Sequence, residues 1–232
     1  MSVLYCLRTK DVPPGEAWLS PVEQKTLAGL RVPKRRLDYL RGRWAAKQAV
    51  LAMCTHPILP CDIAVVPNAK GAPEMFLNGK LAPFGVSISH CQSVALAVVG
   101  PCSPAFGADL ESIEPRSEPF LTDFFTPHEI AWIRSAPADT ASLFVNLCWS
   151  AKESTLKALQ EGLREDTRAV EVSLPSSSLP AGGERFSFQT TYKPTGEVFW
   201  GLAHVMEGQV QTVVSAQSAP DLRVVVPPQT LA

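Results

Sequence analysis

Trp149-Ser150-Ala151-Lys152-Glu153-Ser154-Thr155-Leu156-Lys157 reads as a helix, and the rest of the chain organises around it. Helical spacing stacks Trp149, Glu153 and Lys157 in one row, at i, i+4 and i+8. A large aromatic in that row draws the face at least partly into the protein, so its charges need specific partners. Upstream, Gly107-Ala108-Asp109-Leu110-Glu111 alternates as a strand does. Both carboxylates then share one face, roughly 7 Å apart, and Ala108 and Leu110 take the other. Gly107 leaves room beside the carboxylates. Asp109, Glu111 and Glu153 form an all-oxygen set without a nearby His, which favours Mg2+ over zinc. Plainer explanations stand beside this one: an exposed D-x-E edge is simply hydrated, and Glu153 with Lys157 is an ordinary surface pair worth about 0.2–0.5 kcal/mol.

Outward from these motifs, two segments match a capping box with Pro at the first helical position: Ser20-Pro21-Val22-Glu23 and Thr126-Pro127-His128-Glu129. Glu129 then serves the backbone of Thr126. Between the two starts the pattern predicts a helix over Pro33–Met53 and strands at Ile63–Pro67, Val86–Ser89, Val94–Val99 and Phe106–Glu111. After Thr126 come a short helix, a long one over Ala141–Gln160, and strands near Val170–Leu174, Arg185–Tyr192, Val198–Val205 and Val210–Ala216. Helix-then-sheet thus occurs twice, with no residue-level repeat evident. Pro175 to Gly183 is a Ser/Pro/Gly loop, and Ala219 onward an edge segment or tail.

The helix over Pro33–Met53 places Leu37, Leu40, Trp44 and Leu51 in one apolar arc, with Arg36, Arg43 and Lys47 along its edge. None of those three cations has an acid at i±3 or i±4. Such a row suits a bound anion such as phosphate. Equally, its aliphatic stems can cover apolar surface while the charged ends reach water. His90 closes the strand Val86-Ser87-Ile88-Ser89, where Ser89 and His90 offer donors to phosphate oxygens, although a lone His there is also an ordinary turn residue.

Composition narrows the classes. With 46% hydrophobic and 19% charged residues in 232, the chain is globular, not disordered or fibrous. A net charge of −1 gives no general pull toward nucleic acid or an anionic membrane. Basic character is local instead: residues 31–47 hold seven of the 21 basic residues and one acid, Asp38. Six scattered Cys, with no Cys-x-x-Cys pair, argue against a disulfide framework or structural zinc. The first fourteen residues lack the order of a secretory signal, and the longest apolar run, Val94 to Val99, is too short to cross a bilayer. These features predict a cytoplasmic protein with reduced thiols.

Ser87-Ile88-Ser89-His90, Gly107-Ala108-Asp109-Leu110-Glu111, Phe125-Thr126-Pro127-His128-Glu129 and the segment from Trp149 to Lys157, in that order, resemble the motif series of the 4′-phosphopantetheinyl transferases. The length is similar to the monomeric, two-lobed Sfp-like type. That resemblance implies an α+β fold of two similar α/β lobes, a pseudo-dimer, each a small mainly antiparallel sheet packed against helices. We expect the lobes at residues 1–112 and 113–232, with coenzyme A in the cleft between them and Mg2+ on its pyrophosphate. By resemblance, Asp109, Glu111 and Glu153 are the metal ligands, Lys152 meets phosphate and Lys157 lies near the reacting centre. Ser89, His90, Arg43 and Lys47 match coenzyme-binding positions, and Arg36 joins them from the helix geometry. Where the family often has Gly-Lys-Pro this chain has Gly71-Ala72-Pro73, leaving Lys70 as the cation for that phosphate.

The implied reaction is attack by a serine hydroxyl of an apo acyl or peptidyl carrier protein on the coenzyme's β-phosphorus, expelling adenosine 3′,5′-bisphosphate. Glu153, or else neutral Lys157, takes the serine proton. Phe120, Leu121, Phe124 and Phe125 offer an apolar surface to a carrier helix, unless they pack inward. Two other activities fit the same residues: a Mg2+-dependent nucleotide or phosphodiester hydrolase, and a non-catalytic carrier-binding module.

Overall fold

The computed structural model describes residues 3–174 and 185–226, so the expected loop from Pro175 to Gly183 lies outside the described residues. The chain forms two compact units. In the first, β1 (Val3–Thr9) leads to α1 (Pro21–Gly29) and α2 (Pro33–Met53), followed by β2 (Ile63–Pro67), β3 (Pro73–Leu77), β4 (Lys80–Leu81), β5 (Phe84–Cys91) and β6 (Val94–Pro101). The second opens with β7 (Phe106–Ser112) and continues through α3 (Glu118–Phe124), α4 (Pro127–Ser135), α5 (Ala141–Ala158), β8 (Val170–Ser173), β9 (Arg185–Tyr192), β10 (Glu197–Met206) and β11 (Gln209–Ala216). The last strand, β12 (Asp221–Val224), returns to the first unit and pairs in parallel with β1 as an edge strand.

The second unit's sheet runs β7-β11-β10-β9-β8, antiparallel throughout. In the first unit β12-β1-β6-β5 form one sheet and β2-β3-β4 another, with β3 lying against β5. The order β1-β6-β5-β3-β2 therefore repeats β7-β11-β10-β9-β8, and the α+β pair of similar lobes is present. Two details differ from expectation. Each unit begins with a strand, so β7 hydrogen-bonds to β11 and opens the second unit instead of closing the first; the division falls after Cys102, not after Ser112. Segment 221–226 belongs with the first unit, because β1 needs a partner along its outer edge.

A residue-level repeat also emerges once the units are read side by side. Trp44-Ala45-Ala46-Lys47 of α2 and Trp149-Ser150-Ala151-Lys152 of α5 share Trp, Ala and Lys at the same spacing, and Leu51 answers Leu156. In α2 the core face is not the expected Leu/Trp arc. Ala45, Ala46, Ala49 and Val50 are fully buried, while Leu37 is 41% exposed and Leu40 and Trp44 pack into a side cluster with Trp18 and Leu30. Small residues face the sheet because the helix approaches it closely: a Cβ on Gly42 would lie 2.6 Å from His90 Nε2. The second unit repeats the tactic more tightly, since a Cβ on Gly107 would lie 2.0 Å from the Ser154 carbonyl oxygen of α5. Hydroxyls fill that narrow seam, with Thr212 Oγ1 bonded to Ser150 Oγ at 2.8 Å and to Ser154 Oγ at 2.7 Å.

Candidate active site

Gly107, Asp109 and Glu111 share the α5 face of β7, as strand alternation requires. Along the facing helix, the row Trp149, Glu153, Lys157 runs past them. At one end Trp149 Nε1 donates to Glu111 Oε1 at 3.0 Å; at the other Lys157 Nζ pairs with Asp109 Oδ1 at 2.6 Å. Glu153 lies between on the same row. Burial pushes its carboxyl up to about 7, with Asp109 and Glu111 adding to the rise and Lys157 opposing it. Burial and then Asp109 raise Glu111 as well, against the pull of Arg116 and Trp149. Asp109 and Glu111 thus add like charge to the burial that disfavours ionised Glu153.

The donor set is all oxygen and so matches a hard divalent ion in ligand chemistry. Among the described residues, no three His, Cys, Asp or Glu side chains stand gathered tightly enough to hold a metal as they are. The reason is visible in the contacts. Lys157 takes a place beside Asp109, and Glu111 is gripped on both oxygens, by Trp149 and by Arg116 Nη2 at 2.9 Å. An incoming cation has to compete with the Lys157 ammonium.

Two of the expected phosphate-binding lysines are structural. Lys152 is wholly buried, pairs with Glu129 at 2.8 Å, and donates to the carbonyl oxygens of Thr167, at 3.0 Å, and Val170. Glu129 in turn accepts from Thr126 N at 2.8 Å and Val172 N at 2.9 Å. Its capping role is real, and it carries a second one. Lys47 repeats the device in the first unit. It is wholly buried, pairs with Glu23 at 2.6 Å, and donates to the carbonyl oxygens of Trp18, Pro60 and Ile63 at 3.2, 2.8 and 2.5 Å. Glu23 accepts from Ser20 N and Val65 N. Burial lowers both lysine pKa values, opposed by Glu23 and Glu129 respectively. Each clasp ties a helix start, the long helix and a strand together. Neither ammonium reaches the surface, so neither is placed to meet a coenzyme phosphate.

The remaining expected contacts divide. Arg36 caps the end of α1, donating to the carbonyl oxygens of Leu27, at 2.5 Å, and Leu30, and pairs with Glu16 at 3.3 Å. That acid comes from another segment, outside the i±4 reach of its own helix. Arg43 lies 4.1 Å over the Tyr39 ring and donates from Nη2 to the Val65 carbonyl oxygen at 3.4 Å, while its buried Nε finds no hydrogen-bond partner among the described residues. His90 is exposed and sits one residue inside β5, not at its end, over Gly42 of α2. Ser89, buried, faces the opposite side of the strand, because neighbours on a strand alternate. Lys70 is exposed in a turn beside Gly71, whose φ is +82°. The aromatic segment packs inward: Phe120 and Phe124 each meet Trp149 edge-to-face with ring centroids 5.0 Å apart, and Phe125 is buried.

Residue-by-residue reading missed Arg116 and Asn146. Fully buried Asn146 accepts from Arg116 Nε at 2.7 Å and donates to the carbonyl oxygens of Glu114 and Ser142. A polar Asn in the otherwise apolar run Leu143-Phe144-Val145-Asn146-Leu147 was the available signal.

Residues 105–211 match the family model for the 4′-phosphopantetheinyl transferase superfamily, and residues 23–100 that for the 4′-phosphopantetheinyl transferase N-terminal domain. The 4′-phosphopantetheinyl transferase HetI of Nostoc sp. (strain PCC 7120) is 31% identical over 111 residues, covering 46% of this chain and 45% of HetI. The chain thus spans about half the length of that relative. Holo-[acyl-carrier-protein] synthase of Streptococcus agalactiae serotype III is 38% identical over 91 residues, 36% of this chain and 73% of that protein. The crystal structure of Thermotoga maritima holo-[acyl-carrier-protein] synthase aligns with a TM-score of 0.37 at 23% identity, covering 54% of this chain and 76% of that one.

Proposed function

Because the chain belongs to the 4′-phosphopantetheinyl transferase superfamily, we propose that it moves the phosphopantetheine arm of coenzyme A onto a serine of an apo acyl or peptidyl carrier protein, releasing adenosine 3′,5′-bisphosphate. The observation that carries this reading is that Asp109 and Glu111 on β7 face the α5 row of Trp149, Glu153 and Lys157 and are tied to it by the Lys157–Asp109 and Trp149–Glu111 contacts. Asp109, Glu111 and Glu153 would hold Mg2+, which when bound would neutralise pyrophosphate oxygens. Lys157, paired with Asp109 on the same seam, would steady charge on the departing nucleotide. Glu153 is the proposed acceptor of the serine proton, with Lys157 the alternative. In the first unit, Arg43 and the exposed His90 stay proposed as donors to coenzyme phosphates, from their match to family positions alone. Six scattered Cys with no Cys-x-x-Cys pair suit a reducing compartment.

Mass spectrometry of intact carrier protein, after incubation with coenzyme A, Mg2+ and the full chain, tests the proposal. A gain of one phosphopantetheinyl group on the carrier is expected, lost in a folded Asp109→Ala protein. Coenzyme A cleaved without carrier modification would mark a hydrolase instead, and neither product would mark a binding module.

A further inference from the structure

Arg116 is a cation pointed at a carboxylate that the proposed reaction uses, and nothing in that reaction requires it. Its guanidinium is fixed on three sides. Nε donates to Asn146 Oδ1 at 2.7 Å, Nη2 to Glu111 Oε2 at 2.9 Å, and Nη1 pairs with Glu114 at 3.3 Å, while the plane lies 5.0 Å from the Phe120 ring centroid. Asn146 cannot turn to suit a mobile partner, because both its amide hydrogens are committed to the carbonyl oxygens of Glu114 and Ser142 at 2.6 and 2.7 Å, deep in the second unit. A buried amide with every group satisfied is a rigid mount.

We propose that Arg116, held by Asn146, is the positioning residue for Glu111. Together with Trp149 it consumes one lone pair on each carboxylate oxygen, locks the rotamer, and leaves the remaining lone pairs for a divalent cation shared with Asp109 and Glu153. An ionised carboxylate has about four acceptor sites, so two donors leave capacity for a metal. This rests on the metal reading above. Ligating carboxylates are commonly fixed by such outer partners, and their loss typically costs about 10–100-fold in metal affinity. A guanidinium next to a metal site also repels the ion, and removing it would tighten binding if repulsion were its main effect. The two signs oppose, which makes affinity a decisive readout.

Mn2+ binding to the full chain, followed by the paramagnetic resonance signal of free Mn2+ without coenzyme or carrier, tests the inference. Wild type should bind at a site lost in Asp109→Ala. Arg116→Gln should bind about tenfold or more weakly, and Arg116→Lys should not restore affinity, because one ammonium cannot span Asn146 and Glu111 together. Asn146→Ala should copy Arg116→Gln, and the double variant should be no worse than either; circular dichroism confirms that each is folded. Should Asn146→Ala fail to fold, Arg116→Gln and Arg116→Lys alone decide. Unchanged or tighter binding by Arg116→Gln overturns the positioning role while leaving the metal site standing. A wild-type chain that binds no Mn2+ at an Asp109-dependent site overturns the metal reading and the inference with it.

Discussion

Replacing Gly107 with alanine tests whether the closeness of β7 and α5 is what makes the site. The added Cβ would lie 2.0 Å from the Ser154 carbonyl oxygen and 2.6 Å from Ala158 N. Both are backbone atoms, so no rotamer change relieves the clash. To reach a tolerable separation of about 3 Å, the helix has to rise about 1 Å from the strand. That shift stretches the 2.6 Å Lys157–Asp109 pair, the 3.0 Å Trp149–Glu111 bond and the 2.7 Å Ser154–Thr212 bond together. Overpacking typically costs about 1–3 kcal/mol, and two rigid backbones put this case at the upper end. For a chain of this length that is about 6–12 °C in melting temperature. Gly29→Ala is the control, since its Cβ would meet nothing within 4 Å. Calorimetry on the two variants, with transfer activity alongside, gives the answer. A Gly107→Ala protein that melts with wild type and stays fully active would refute the reasoning.

Three further outcomes follow from the same geometry. Lys152→Met strands Glu129 in the interior and should cost about 3–5 kcal/mol in urea denaturation, as should Lys47→Met for Glu23; a loss below about 1 kcal/mol would show that these lysines are not the braces described. Gly42→Ala gains about 1 kcal/mol of helix propensity but pushes His90 aside, so KM for coenzyme A should rise several-fold with kcat kept, and a fall in kcat alone would contradict it. In the metal-free protein, Glu153 holds its proton more tightly folded, near 7, than at its ordinary value of 4.5. Its contribution is therefore present at low pH and lost as pH rises through about 7, worth up to about 3 kcal/mol. Denaturation midpoints measured from pH 4 to 8 should show that slope, and Glu153→Gln should flatten it.

Periodicity served well where an element buries its own face. The limits of α2 and β2 and the shared face of Gly107, Asp109 and Glu111 were legible because spacing alone decides them. Strands that exist only through pairing were not: β1, interrupted by Arg8, and β3, opened by Pro73, carry weak patterns and are completed by neighbours. The lysines failed for a related reason. Spacing at i±4 shows only partners on the same helix, whereas Glu23 lies on α1, across the connection that precedes α2. Resemblance then supplied a phosphate for an ammonium already satisfied inside the protein.

The duplicated clasp also divides labour between the halves. Where α5 carries Glu153 immediately after its buried lysine, α2 carries Gln48, so one copy keeps the brace without the acid. Because both ammonium groups are sealed away, amine-reactive labelling spares positions 47 and 152 in native protein and reaches them only on opening. Each half thereby comes with a built-in reporter of its own unfolding, read by peptide mapping without any added probe.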